Sequence, residues 1–260
     1  MRKMLIAAAA VLAVAVPGVA AAQTGYVDLA YTNTDTDFAG DDVDATSLGG
    51  SVAFSGSHAI SFQVDGRYAN IDAGGGDVDA IGVGGHVYKR GAQWLWGGYA
   101  GYTNFDAAGG DIDEWTVAAE TQYYTARGTV SGALSYSDAE DFGGGANLVM
   151  LEGEYRHFVT DNFSLQGGLG IGSGEIGATD IDVWSGQVGG ELQFDRMPIS
   201  IFAGYRHNSV DAGAGDLDTD SVGVGVRYNW GGTLWDRNRG GAGLNRVPGV
   251  LERIVGGLTV

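Results

Sequence analysis

The 260-residue chain contains no cysteine and only three prolines. Without cysteine there is no disulfide framework and no thiolate metal site, so export would not serve disulfide formation. Positive charge is also scarce. Fourteen Lys and Arg stand against 32 Asp and Glu, a net charge of −18 that disfavours nucleic acid as a partner. Past the first residues, no apolar run reaches the ~20 residues that a membrane-crossing helix needs. A mean hydropathy near zero is what strands with one apolar and one polar face produce on average.

What the chain has in excess is glycine, 47 residues of it. That would suggest low complexity but for twelve Tyr, nine Phe and six Trp, because disordered chains are poor in aromatics. The N-terminus reads as a signal peptide over residues 1–22. Arg2 and Lys3 form its charged start, Met4 to Val16 its apolar run, and Ala20-Ala21-Ala22 the cleavage site before Gln23.

From residue 23 onward two kinds of connector alternate. Long ones rich in Asp and Gly (Thr34–Asp44, Ile71–Asp77, Asp106–Asp113, Ala139–Ala146, Gly174–Ile181, Ser209–Asp218) take turns with short ones (Gly56–His58, Lys89–Ala92, Thr125–Gly128, Val159–Asn162, Asp195–Pro198). Eleven connectors imply twelve strands, with both ends on the short-turn side. The runs between them alternate with period two. Ile60, Phe62, Val64 and Tyr68 oppose Ser61, Gln63, Asp65 and Arg67, and Val222, Val224, Val226 and Tyr228 oppose Ser221, Gly223, Gly225 and Arg227. In the ambiguous run Trp94 to Asn104, Trp94, Trp96 and Tyr102 are assigned to the apolar face. A soluble sandwich would alternate too, but here Gly, Ser, Gln and charges fill the second face and aromatics end the runs. Tyr26, Trp94, Trp115, Tyr123, Trp184 and Trp230 stand at such ends and suggest interfacial girdles. The expected fold is all-β: a single antiparallel up-and-down transmembrane β-barrel of 12 strands over residues 23–230.

The long connectors form a repeat of about 35 to 40 residues, seen in Asp72–Asp79, Asp106–Asp113 and Asp211–Asp218. One period is one hairpin plus a loop, which fits duplication of a hairpin unit. Their carboxylates (Asp72, Asp77, Asp79, Asp106, Asp111, Asp113, Asp211, Asp216, Asp218) are candidates for weak cation binding. Asp and Gly also simply make tight hydrated loops, and no specific calcium or other metal site is expected. Basic residues gather elsewhere, with Lys89, Arg90, Arg127 and Arg196 in or beside short turns.

An Ala-rich leader followed by Gly25-Tyr-Val-Asp-Leu-Ala-Tyr31, and the strand Gly225-Val-Arg-Tyr228-Asn-Trp230, resemble the porin-like outer-membrane β-barrel proteins of Gram-negative bacteria. The resemblance covers about residues 1–230 and implies an outer-membrane location with both termini in the periplasm. It implies passive passage of small solutes or a structural role. It also implies outer-membrane lipids and lipopolysaccharide as surroundings, and recognition of Gly225 to Trp230 by the barrel-assembly machinery. No cofactor follows from it. One departure is the tail, residues 231–260, since many such chains end on the aromatic strand. Exposed periplasmic coil is the expectation for it, with a short helix within Val247–Leu258. A plug in the lumen is the alternative, which Arg237, Arg239, Arg246 and Arg253 would suit.

The polar face assigns Asp65, Arg67, His86, Glu120, Glu152, Glu154, Arg156, Glu191, Arg206 and Arg227 to the lumen as candidate selectivity residues. In a water-filled pore they would favour cations over anions. In a closed barrel they would lock into salt bridges. Catalysis is not expected. Outer-membrane phospholipases carry a lipid-facing His-x-Ser, and His207-Asn-Ser209 is similar. The Ser-Asn-Gly continuation and the later Asn are missing, so nothing in the sequence orients the imidazole. His58 and His157 offer no metal-ligand spacing. The sequence reading is therefore a narrow cation-preferring channel, with a sealed structural or surface-interaction barrel bearing acidic loops as the alternative.

Overall fold

A computed structural model describes residues 24–254, apart from 38–41, 56–59, 73–75, 108, 141, 143 and 214. The leader, the Gly56–His58 turn with His58, and the last six residues lie outside the described residues. Twelve strands follow one another: β1 (Thr24–Thr36), β2 (Val43–Ser55), β3 (Ile60–Asp72), β4 (Asp77–Arg90), β5 (Trp94–Ala107), β6 (Gly110–Tyr124), β7 (Gly128–Ala139), β8 (Ala146–Thr160), β9 (Phe163–Ile176), β10 (Thr179–Gln193), β11 (Ile199–Asp211) and β12 (Asp216–Trp230). Each pairs antiparallel with its neighbours in sequence, and β1 pairs with β12, closing the barrel. Two helices follow, α1 (Leu234–Gly240) and α2 (Val250–Ile254).

Alternation decides the two faces. Leu29, Phe62, Val87, Trp96, Leu134, Leu151, Ile171, Val188, Ile201 and Val226 all point outward and stay exposed, a continuous apolar belt. Trp94, Trp96 and Tyr102 belong to it, so the ambiguous run has the parity expected of it. Tyr26 does not. It shares the inward parity of Asp28, and the Arg227 guanidinium lies 4.1 Å from its ring centre. The girdle role expected of it is therefore corrected: it is a lumen residue.

The strands run further into the long connectors than the sequence pattern suggested. Asn33, Asn70, Asn104 and His207 lie directly opposite Asp44, Asp79, Asp113 and Asp220. Tyr31, Tyr68, Tyr102 and Tyr205, two residues earlier, donate their hydroxyls to the same carboxylates at 2.5–2.7 Å. These cross-strand bonds on the outer face continue the ladder past the apolar residues.

At this long-loop end the usual polarity of the two faces inverts. Every strand-end Asp points out, while Ile71, Phe105, Leu148, Met150, Ile181, Val183 and Val210 point in and form a buried apolar collar. Lower down, the inward face turns polar and charged.

A lumen filled by the C-terminal segment

Among the described residues the wall of the lumen carries seven carboxylates on inward positions: Asp28, Asp65, Glu114, Glu120, Glu152, Glu154 and Glu191. It carries five guanidiniums: Arg67, Arg90, Arg156, Arg206 and Arg227. The wall is thus net −2, with His86 in addition. All ten candidate selectivity residues face inward. Asp28, Glu114 and Arg90 were missed, although the outward neighbours Leu29 and Trp115 give the parity of the two carboxylates away.

Exposed coil was the expectation for the tail, and for residues 231–254 the contacts correct it. After the barrel closes at Trp230, Gly231 and Gly232 adopt positive φ (95° and 119°), a backbone state glycine enters without strain, and turn the chain inward. Thr233 then caps α1. Its hydroxyl accepts from the Asp236 amide at 3.1 Å, and the Asp236 carboxylate accepts from the Thr233 amide at 3.0 Å. The helix is fixed at the short-turn end. The Trp235 amide donates to the Asp161 carbonyl at 2.9 Å, its ring meets Phe158 edge-on at 5.1 Å, and Arg239 donates to the carbonyls of Thr125 and Gly128.

Beyond α1 the chain crosses the middle of the barrel. Gln63 bonds both backbone groups of Leu244, donating at 2.8 Å and accepting at 3.2 Å, as a paired strand would. Arg246 lies against Gly82, where an added Cβ would sit 3.2 Å from its Nη2. At the loop end α2 inserts Val250 and Leu251 into the apolar collar, both buried, and Glu114 accepts from the Leu251 amide at 2.8 Å. The five-residue helix falls inside the region where the sequence suggested one.

Charge is matched along this path. Residues 231–254 carry four Arg against Asp236 and Glu252, net +2, the opposite of the wall. Glu191 accepts from Arg227 at 2.8 Å, from Arg237 at 2.7 Å and from Ser200 at 2.6 Å. Arg227 also donates twice to Asp28. Arg253 donates to Glu152 at 2.8 Å, and Arg246 is paired with Glu252 within the tail. His86 lies 2.8 Å from both Asp65 and Glu120. Arg156 donates to Glu154 on its own strand at 3.3 Å, and Arg206 donates to the Gln187 side chain. A buried charge left without a partner is costly, so this mutual pairing is what allows the segment to sit inside.

The loop carboxylates take other places. Asp72 faces Asp77, Asp106 faces Asp111 and Asp211 faces Asp216 across their hairpins. Asp79 and Asp113 accept from the Tyr68 and Tyr102 hydroxyls. Among the described residues no group of three or more His, Asp and Glu could hold a metal ion. The repeated Tyr-x-Asn of β1, β3 and β5 is a signal by which the Asp partners could have been found.

His207 has an orienting group after all, since Asp220, directly opposite on β12, lies 2.9 Å from its Nδ1. Among the described residues no hydrogen bond joins His207 to Ser209, so a nucleophile–base contact is not formed.

No family model and no curated protein matches this sequence. Solved structures do. The β-domain of the Bordetella autotransporter BrkA matches with a TM-score of 0.54 at 13% identity, over 81% of this chain and all of that one. The translocator domain of the autotransporter NalP from Neisseria meningitidis gives 0.51 at 9%, covering 88% of this chain and 96% of that one. The KdgM porin, solved in complex with disordered oligogalacturonate, gives 0.51 at 9%, over 78% and 99%. At such identities the likeness is one of fold: this chain is a twelve-stranded barrel of the outer-membrane type.

Proposed function

We propose that the protein is an outer-membrane channel for passive diffusion of small solutes, held closed by its own C-terminal segment. The observation that carries this reading is the charge match between a net −2 wall and a net +2 segment. The segment is held by ion pairs, single backbone contacts and the apolar packing of α2, and not as a further strand, so it can leave while the barrel stays closed on itself.

With the segment displaced, the acidic wall raises the local cation concentration, and the remaining Arg227–Asp28 and Arg156–Glu154 pairs shape the constriction. The open channel is therefore cation-preferring. The outward belt lies in lipid, and the Asp rim at the long-loop end faces lipopolysaccharide, bridged weakly by divalent cations. Both termini enter from the periplasmic side, where Gly225 to Trp230 meets the assembly machinery.

A second reading has its own support. The apolar collar around Val250 and Leu251 resembles a permanent core, which suits a sealed structural barrel. Planar-bilayer conductance under a salt gradient separates the two, using the refolded mature chain and a chain ending at Trp230, with heat-modifiable gel mobility as the folding check. The channel reading expects a mostly silent full chain and a shortened chain with stable openings. Replacing Glu120, Glu152 and Glu191 together by Gln in the shortened chain should move the reversal potential toward anions. A folded shortened chain that never conducts would leave the structural reading.

A further inference from the structure

Neighbouring strands of this barrel are joined by hairpins, with one exception. The seam between β1 and β12 brings together the two ends of the barrel. No connector holds it, and its closure carries the entropy of the longest loop in the fold. At the short-turn end the last pair of the seam is Gly25 opposite Trp230. A strand end with no turn to hold it is where a sheet frays first.

The C-terminal segment leaves β12 at that point and returns to it. After α1, Gly241 and Ala242 lie against Thr24, the first residue of β1, and the Ala242 amide donates to the Thr24 hydroxyl at 2.8 Å. The Thr24 side chain is gripped from two sides. A Cβ on Gly231 would stand 2.5 Å from its Cγ2, and one on Gly241 would overlap its hydroxyl oxygen and its Cβ. Between these contacts Arg237 reaches Asn229 of β12 and Glu191 of β10, and its guanidinium lies 5.1 Å from the ring centre of Tyr26 on β1. Arg90 of β4 donates to the Gly241 carbonyl at 3.1 Å and keeps the return in place.

We propose that residues 231–242 are a strap that fastens the β1–β12 seam, a non-covalent substitute for the turns that join the other strands at this end. The strap is covalently continuous with β12. Peeling β1 away would therefore break the Thr24 contacts together with the last ladder bonds. It would also leave the buried Ala242 amide without its acceptor, which is costly. The proposal stands apart from the channel reading, since the seam needs fastening in an open and in a sealed barrel alike.

Hydrogen exchange on the whole refolded mature chain in zwitterionic micelles tests it. Seam amides of residues 25–29 and 226–230 are compared with residues 190–193 and 200–203 of the β10–β11 hairpin at the same end. Two full-length variants loosen the strap, and neither changes a residue of the β1–β12 register. Thr24→Val keeps the side-chain shape and removes the acceptor of the Ala242 amide, and Gly241→Ala drives a Cβ into Thr24. Gly240→Ala is the matched control, since a Cβ there meets nothing within 4 Å. Seam exchange should quicken about tenfold in both strap variants, with the β10–β11 amides and the control chain unchanged. If Gly241→Ala does not fold, Thr24→Val decides alone. Unchanged seam exchange in a folded Thr24→Val chain overturns the proposal. An equal rise at β10–β11, or in Gly240→Ala, overturns it too, because the effect would then be a general loss of stability.

Discussion

The charged lower lumen and its apolar long-loop end hold the same segment by different physics. Below the collar, Arg237 of α1 meets Glu191 near the short turns and Arg253 of α2 reaches Glu152, and each contact is directional and leaves a buried charge exposed to cost if it is lost. At the loop end, Val250 and Leu251 fill an apolar collar whose attraction is non-directional and scales with area. The first device fixes position and can be undone by reversing one charge. The second supplies most of the area-driven hold but little register. Together they explain how a strand-free segment takes one path through the barrel.

Substitutions can break this comparison, in order of expected effect. Glu191→Ala should be the most damaging, since it leaves Arg237 in the interior without a carboxylate and Arg227 with Asp28 alone. A loss of about 3–5 kcal/mol is expected, seen as a lower thermal midpoint and faster proteolysis of the segment. Leu251→Ala should cost about 2–5 kcal/mol through the cavity it leaves, loosening α2 while protection of α1 persists, as hydrogen exchange would report. Arg239→Ala removes cation–π contacts to Trp235 and Tyr124 at 4.1 and 4.6 Å. It should cost about 0.5–1 kcal/mol and free only the start of the segment. Arg127→Ala breaks an ion pair with Asp161 in which both side chains are more than half exposed, and should change stability by less than about 1 kcal/mol. If Leu251→Ala released α1 as readily as α2, the two regions would not be separate devices.

Sequence alone made the barrel legible because alternation is a local property. Val64 beside Asp65, or Leu151 beside Glu152, declares its face without reference to any other strand. Parity placed all ten chosen lumen residues inside, and it would have placed Asp28 and Glu114 there too. Tyr26 was misplaced because its position at a run end outweighed its parity. What depends on distant residues was not legible. Asp220 lies opposite His207 only through the β11–β12 register, and the Tyr–Asp bonds that lengthen the strands need neighbours across each hairpin. The path of residues 231–254 needed the net charge of a wall assembled from twelve strands. Composition gave the segment its arginines but not the Glu191 and Glu152 that receive them.

The most direct test of a self-closed channel leaves the wall intact. Conductance under a salt gradient is compared between the full mature chain and the same chain carrying Arg237→Glu and Arg253→Glu, which set the segment against Glu191 and Glu152. A near-silent parent and a variant with frequent, cation-biased openings are predicted. A folded parent that conducts as freely as the variant would contradict the account, because the segment would then not close the pore.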